Sequence, residues 1–394
     1  MLDRGIFKAP TLRSGHDREK ERHATWLELF YDLVFVGAVS QLASSLNEDY
    51  SPLGVLKFSA LFVPVWWAWA GHTFYLTRFD SDDVGRRFLT MIQIVAVASL
   101  AVHAPEALGK TSGGFALSYA AVRFMLVTEY LRAGRHIPHV RVLTNRYCLG
   151  FGLAASLWAI SSLVATPWRF WLWGVAVIVD FLAPLTAGEL HARFPPHLMH
   201  LPERFGLFTI IVIGEAVVSV VIGIGKKELD LVSGMVGIMG LLMAYSLWWG
   251  YFEGAKGAAT LTLLSPGNVY RYQLWLYSHI PLVLGITSTA VGVKHLVALS
   301  PWQTLSGFEG WVLSCSVGIS VVALSLILLA TNSVKPTTHF PRILTLYAII
   351  AILGMSSGAL SNVLPGVAIL AILTSLCFIQ ILVSIRIKPL PHED

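Results

Sequence analysis

The chain has 394 residues, of which 55% are hydrophobic and 13% charged, and its formal net charge is +5. An ordinary soluble domain carries about a quarter charged residues, so this composition excludes a typical soluble enzyme and belongs to a membrane protein. The basic residues lie between apolar segments rather than in one patch, which excludes a nucleic-acid surface. Cys148, Cys315 and Cys377 fall at unrelated spacings, which predicts neither a disulfide framework nor a metal site.

Residues 1–25 are polar and contain no apolar core followed by a cleavage site, so they read as a retained N-terminal tail. A spanning helix needs about 20 mostly apolar residues. Twelve stretches qualify: 26–46, 52–75, 88–107, 114–133, 147–166, 168–187, 205–225, 231–252, 273–294, 308–330, 342–361 and 363–385. The fold class expected is an all-α polytopic membrane protein. Its organisation is a first six-helix half (26–187), a connecting loop (188–204), a second half (205–385) and a C-terminal tail (386–394). With the N-terminus placed in the cytoplasm, 21 of the 28 Lys and Arg residues fall on the cytoplasmic side and six on the other, Arg123 being inside a span. That asymmetry predicts cytoplasmic termini.

The first span opens as WLELFYDLVFVGAVSQ and carries Glu28 and Asp32 four residues apart, on one helix face. Glu28 suits the positive end of the helix dipole. Asp32 lies about 9 Å into the helix and requires a positive partner or water. His72 and His279 sit nearer the cytoplasmic ends of their spans and read as packed or water-contacting side chains. Between spans two and three, TRFDSDDVGRRF brings Asp80, Asp82 and Asp83 together with Arg86 and Arg87.

Arg123, Asp180 and Glu215 fall near the middle of spans four, six and seven. Polar groups at that depth face the bundle interior and pair. One cation and two acids leave either a static pair with a spare carboxyl or a proton carrier, since burial raises a carboxyl pKa. The seventh span is preceded by His200, Pro202, Glu203 and Arg204, where Pro and Glu suit a first helical turn. The H-x-x-H-x-x-E run ending at Glu203 offers metal ligands on one face only if helical, which Pro202 disfavours for the residues before it, so no metal is expected.

LELF (27–30) and PERF (202–205) open spans one and seven, while VWWAWAGHTF (65–74) and LWWGYFEGA (247–255) close spans two and eight. Two likenesses in the same order predict a parallel repeat of two halves. The alternative is chance recurrence in a Trp-rich chain.

Two longer segments, ATWLELFYDLVFVGAVSQLA (24–43) and HLPERFGLFTIIVIGEAVVSV (200–220), resemble the low-temperature-requirement A (LtrA) family of bacterial membrane proteins, and RFDSDDVGRRFLTMIQIVAVA (78–98) adds a third match. The resemblance implies a multi-pass protein of the bacterial inner membrane and brings no catalytic residue list with it. The matching positions are Glu28, Asp32, Asp80, Asp83, His200, Glu203, Arg204 and Glu215. The loop from Asp82 to Arg87 also resembles the D-x-x-G-R-R loop of major facilitator transporters, although 253–272 holds no counterpart.

Twelve spans, mid-depth charges and the lack of a soluble catalytic segment favour a secondary transporter or permease with a polar central cavity formed by Glu215, Arg123, Asp180, Glu28 and Asp32. The alternatives are an intramembrane enzyme for a lipid or isoprenoid, using the acids near Asp80 and Asp83, and a membrane protein with no chemistry. The partners expected are the lipid bilayer and a small-molecule or lipid substrate, with no cofactor; the sequence does not assign an oligomeric state.

Overall fold

The protein is described here from a computed structural model, over residues 8–13, 24–80, 83–197, 200–225, 231–254, 269–299, 302–331 and 340–387. Asp82, Lys226, Lys227, the segments 255–268 and 332–339, and the C-terminal tail from 388 lie outside the described residues.

A long helix forms on each of the twelve apolar stretches, and its ends follow from local chemistry. Helix α1 (Trp26–Glu48) opens on a capping box: Thr25 Oγ1 accepts from Glu28 N at 3.3 Å, and Glu28 Oε2 accepts from Thr25 N at 3.1 Å. Helix α2 (Pro52–Arg78) begins with Pro at its first position. Helix α3 (Val84–His103) starts four residues earlier than read from hydropathy, because Asp83 caps it by accepting from Arg86 N at 3.1 Å.

Next come α4 (Ser112–His136), α5 (Arg141–Ser161) and α6 (Trp168–Leu185). The segment 188–204, expected as a loop, instead holds α7 (Gly188–Arg193) and the first turn of α8 (His200–Gly225). Helix α8 runs through Pro202 because a proline's missing N–H costs nothing in a first turn. The remainder are α9 (Leu231–Trp249), α10 (Val269–Ala298), α11 (Gly307–Thr331), α12 (Phe340–Ser356) and α13 (Gly366–Ile387). A π turn, Gly250–Gly254, follows α9, and a 3₁₀ turn, Ser357–Leu360, extends α12.

Among the described residues, nine of these helices are long and apolar enough to cross a membrane, against twelve read from the sequence: α1, α2, α3, α6, α8, α9, α10, α11 and α12 with its extension. Helix α4 falls short because it carries Arg123, Glu129, Arg132 and Arg135, and α5 because Arg141, Asn145 and Arg146 occupy its first turns. The apolar run of α13, Gly366–Leu382, is shorter. Leu149, Trp171, Ile178, Val221 and Ile352 all stand exposed, an outward apolar surface that suits lipid rather than water. The chain is a membrane protein with multiple spanning helices.

The residues group into two compact units. Of the described residues, the first takes those within 8–42 and 60–204 together with Val269; the second takes those within 43–59, 205–254 and 270–387. The first unit's aromatic core contains Tyr75, Phe79, Tyr130, Tyr147 and Phe151. An aliphatic core built on Val220, Met243, Val293, Leu313 and Leu370 serves the second. One feature of the first unit has no counterpart in hydropathy. Residues Thr11–Leu12 form a two-residue strand, β1, antiparallel to β2 (Phe79–Asp80), with Thr11 opposite Asp80.

Candidate functional site

The first unit buries a large set of charged and titratable side chains. Glu28, Asp32, His72, Arg78, Asp83, Arg86, Arg123, Glu129, Asp180, His200 and Arg204 are all buried. An ionised group without a partner in such a place is heavily penalised, so the pairing of each defines the site.

At the end of the unit where α1, α3 and α8 begin, Glu28 gathers three cationic or donor side chains. Arg86 Nη2 donates to its Oε1 at 3.0 Å, while His200 Nε2 and Arg204 Nη1 lie 3.1 and 3.4 Å from its Oε2. Glu28 is therefore both the cap acceptor of its own helix and the hub of an ion cluster. Arg13, just beyond β1, lays its guanidinium across this cluster, with Nη1 2.9 Å from His200 Nδ1 and Nη2 3.2 Å from Asp80 Oδ1. A guanidinium carries only donors, so His200 Nδ1 is the acceptor and the ring proton sits on Nε2, facing Glu28.

Asp83, beyond capping α3, accepts from Lys8 N at 3.0 Å and pairs with Arg132 Nη2 at 2.5 Å. Glu203, expected to cap α8, accepts from Ala24 N at 3.3 Å. Segment 8–13 is thus strapped onto this end of the unit at both of its ends.

About one turn deeper lies a second layer. Asp32 accepts from Arg204 Nη2 at 2.5 Å, from Arg204 Nε at 3.1 Å and from Trp69 Nε1 at 2.7 Å. This is a two-pronged guanidinium–carboxylate pair, the strongest and most directional kind. At the same depth, about 9–10 Å from the ends of α2 and α4, His72 Nδ1 lies 3.1 Å from Glu129 Oε2. The Tyr31 ring packs on His72 with centroids 4.3 Å apart.

The third layer is near the middle of α4. Arg123 is ion-paired with Asp180 through Nε and Nη2, and Tyr119 Oη donates to Asp180 Oδ2 at 2.9 Å. The Arg123 guanidinium also lies 4.7 Å from the Phe151 ring centroid. Space for it comes from Gly71, where a β carbon would stand 2.6 Å from Arg123 Nη1.

The sequence-predicted residues therefore separate. Glu28, Asp32, Asp80, Asp83, His200 and Arg204 meet at or near one end of the first unit, with Glu203 alongside, and Arg123 meets Asp180 deeper in it. Glu215 and His279 belong to the second unit. Glu215 is half-buried on α8. His279 donates from Nδ1 to Trp275 O at 2.8 Å, accepts from Tyr251 Oη at 3.0 Å, and packs against Phe205. In the same unit, Tyr50 stacks on His295, which faces Glu309 at 2.9 Å. Burial pushes the Tyr50 phenol above its ordinary value.

Sequence reasoning passed over Glu129, Arg13, Tyr31 and Trp69. Glu129 had a signal, an acid inside an apolar stretch. Its position four residues from the end of that stretch, close to Arg132, made it resemble an interfacial charge.

A family model for the bacterial low temperature requirement A protein matches residues 23–378 of the chain. An uncharacterized protein of Rhizobium meliloti (strain 1021) is 30% identical over 296 residues, covering 71% of each chain. No solved structure matches.

Proposed function

We propose, for a chain that belongs to the bacterial low temperature requirement A (LtrA) family, that it is a secondary transporter of the inner membrane whose polar path runs through the first unit. One observation carries this reading: the interior of that unit is stacked with three layers of buried charge, from the Arg13–Glu28 end through Asp32 and Glu129 to Arg123 and Asp180. Buried ion pairs can often be replaced by packed hydrocarbon at no loss of stability, so fold alone does not call for three of them. Within a membrane such groups line ion and substrate paths. The lipid-enzyme alternative draws less support, because Asp83 is taken up by a helix cap and Arg132, and Asp80 by Arg13.

The repeat belongs to the same proposal. In the first unit α4 packs on α5, α5 on α6, and α6 returns to α2 through Trp67 and Phe181, whose centroids are 4.0 Å apart. In the second unit α11 packs on α12, α12 on α13, and α13 returns to α9, where Thr374 Oγ1 donates to Met239 O at 3.5 Å. Equivalent neighbours in equivalent order are what a parallel duplication leaves behind.

The test is a thermal-stabilisation screen of the purified chain against amino acids, sugars, organic acids, nucleosides and phospholipids. Each hit is then followed in proteoliposomes under an imposed proton or sodium gradient. A soluble compound that stabilises the protein and accumulates against its gradient is the expected result. Covalent alteration of a lipid hit, or no gradient-driven uptake of any hit, overturns the proposal.

A further inference from the structure

We infer that the His72–Glu129 pair, joined by Tyr31, is a proton-binding site at the heart of the first unit. The inference rests on the transporter reading for its purpose, but its geometry stands apart from that reading.

Three observations converge. First, the other deep pairs cannot change charge: Asp32 is held by Arg204 and Asp180 by Arg123, and an arginine does not release its proton in a protein. His200 has both ring nitrogens engaged, Nδ1 by Arg13 and Nε2 by Glu28. The His72–Glu129 couple is different, because it joins an imidazole to a carboxyl and, among the described residues, neither is hydrogen-bonded to an arginine. Second, the couple is almost completely shielded, with His72 at 0% and Glu129 at 2% relative exposure. A net charge there is penalised, so the couple prefers to hold one proton between its two members and be neutral overall. Third, among the described residues, His72 Nε2, Glu129 Oε1, Tyr31 Oη and Arg123 Nη1 are buried without a hydrogen-bond partner. These atoms leave hydrogen-bonding capacity open beside the couple, which a shared or passing proton can use.

The chemistry balances simply. In the loaded state one proton is shared between the imidazole and the carboxyl, as imidazolium–carboxylate or imidazole–carboxylic acid, and the couple is neutral. In the released state imidazole and carboxylate carry one negative charge, and the proton has gone to water. The groups that face the couple set its bias. Tyr31 and Asp32 come from α1, the latter neutralised by Arg204 of α8. Tyr75 comes from α2, beside Glu129. Arg123 comes from α4 across Gly71, neutralised by Asp180 of α6. Arg86 of α3 lies further out, on Glu28. Fixed pairs on both sides leave this couple as the place where charge can move.

Direct proton binding provides the test. Purified protein in lipid nanodiscs is titrated between pH 5 and 9, and the pH-difference infrared spectrum is recorded with net proton uptake. The expected result is a signal from a buried carboxyl or imidazole, amounting to about one proton per chain. It should be lost in Glu129→Gln and also in His72→Gln, since each removes one member of the couple. His279→Gln, which alters a buried histidine of the second unit, should keep it. If Glu129→Gln retains the signal, or the wild type has none, the inference falls. Should Glu129→Gln fail to accumulate, His72→Gln alone decides by the same readout. Transport separates the two claims. A pH signal without gradient-driven uptake sinks the transporter reading and leaves the site, whereas sodium-driven uptake without a pH signal does the opposite.

Discussion

Replacing Arg204 by Met removes the one guanidinium that grips Asp32 at 2.5 and 3.1 Å and also reaches Glu28 at 3.4 Å. Asp32 would keep only the Trp69 N–H, while Glu28 would keep Arg86 and His200. Both Asp32 and Arg204 are fully buried, so the loss is that of breaking a buried pair from one side, about 3–5 kcal/mol. Asp32→Asn should cost less, about 1–3 kcal/mol, because the amide oxygen still serves Trp69 and Arg204 can turn wholly to Glu28. The double variant Asp32→Leu/Arg204→Met should recover much of the loss, since it leaves neither charge stranded. The assay is equilibrium unfolding in mixed detergent micelles, followed by tryptophan fluorescence and read as a double-mutant cycle. A coupling energy below about 1 kcal/mol, or an Arg204→Met variant as stable as wild type, would refute a buried Asp32–Arg204 pair.

Three further outcomes are expected, two from the same geometry and one from the placement of Lys and Arg along the sequence. Gly71→Ala should destabilise the first unit by about 1–3 kcal/mol, since the new methyl meets Arg123 Nη1, whereas Gly37→Ala, with nothing within 4 Å, should be close to neutral in the same thermal melt. Arg13→Ala should loosen the 8–13 segment and raise its rate of limited proteolysis several-fold, leaving the midpoint of global unfolding nearly unchanged; equal cleavage rates would show the strap to be held elsewhere. A reporter fused after residue 394 should read as cytoplasmic and one inserted near residue 228 as external, while opposite readings at both positions would reverse the orientation given to the charged end.

Hydropathy located the helices because a spanning segment must be apolar over a fixed length, and that constraint is local. The need of Asp32 for a partner was equally legible, since depth in a helix follows from residue count alone. The partner was not. Arg204 stands 172 residues away, and nothing in LELF or PERF says that these two segments meet. Arg123 and Asp180 were visible as mid-depth charges, but the third mid-depth charge, Glu215, falls in the other unit. The strap at 8–13 escaped notice because a strand of two residues has no periodicity to detect. Helix starts shifted by up to six residues where a cap or a preceding turn overrode hydropathy. Asp83 draws α3 back into a polar loop, and α5 begins at Arg141 straight after a turn at Pro138.

The long separation between Asp32 and Arg204 also has a consequence for how the chain is made. At about 5–20 residues per second, roughly 10–30 s pass between synthesis of the acid and synthesis of its base. Thr25 can cap α1 at once, yet through that interval the helix must enter or wait beside the bilayer with Asp32 uncompensated. A ribosome stalled before residue 204 would leave a nascent chain whose first span holds an orphan carboxyl, a natural mark for quality-control proteases. Expressing the chain as two fragments should accordingly succeed or fail by where the cut falls. A first fragment ending at 187 lacks both His200 and Arg204, whereas one ending at 225, with α8 included, carries every partner that Glu28 and Asp32 need.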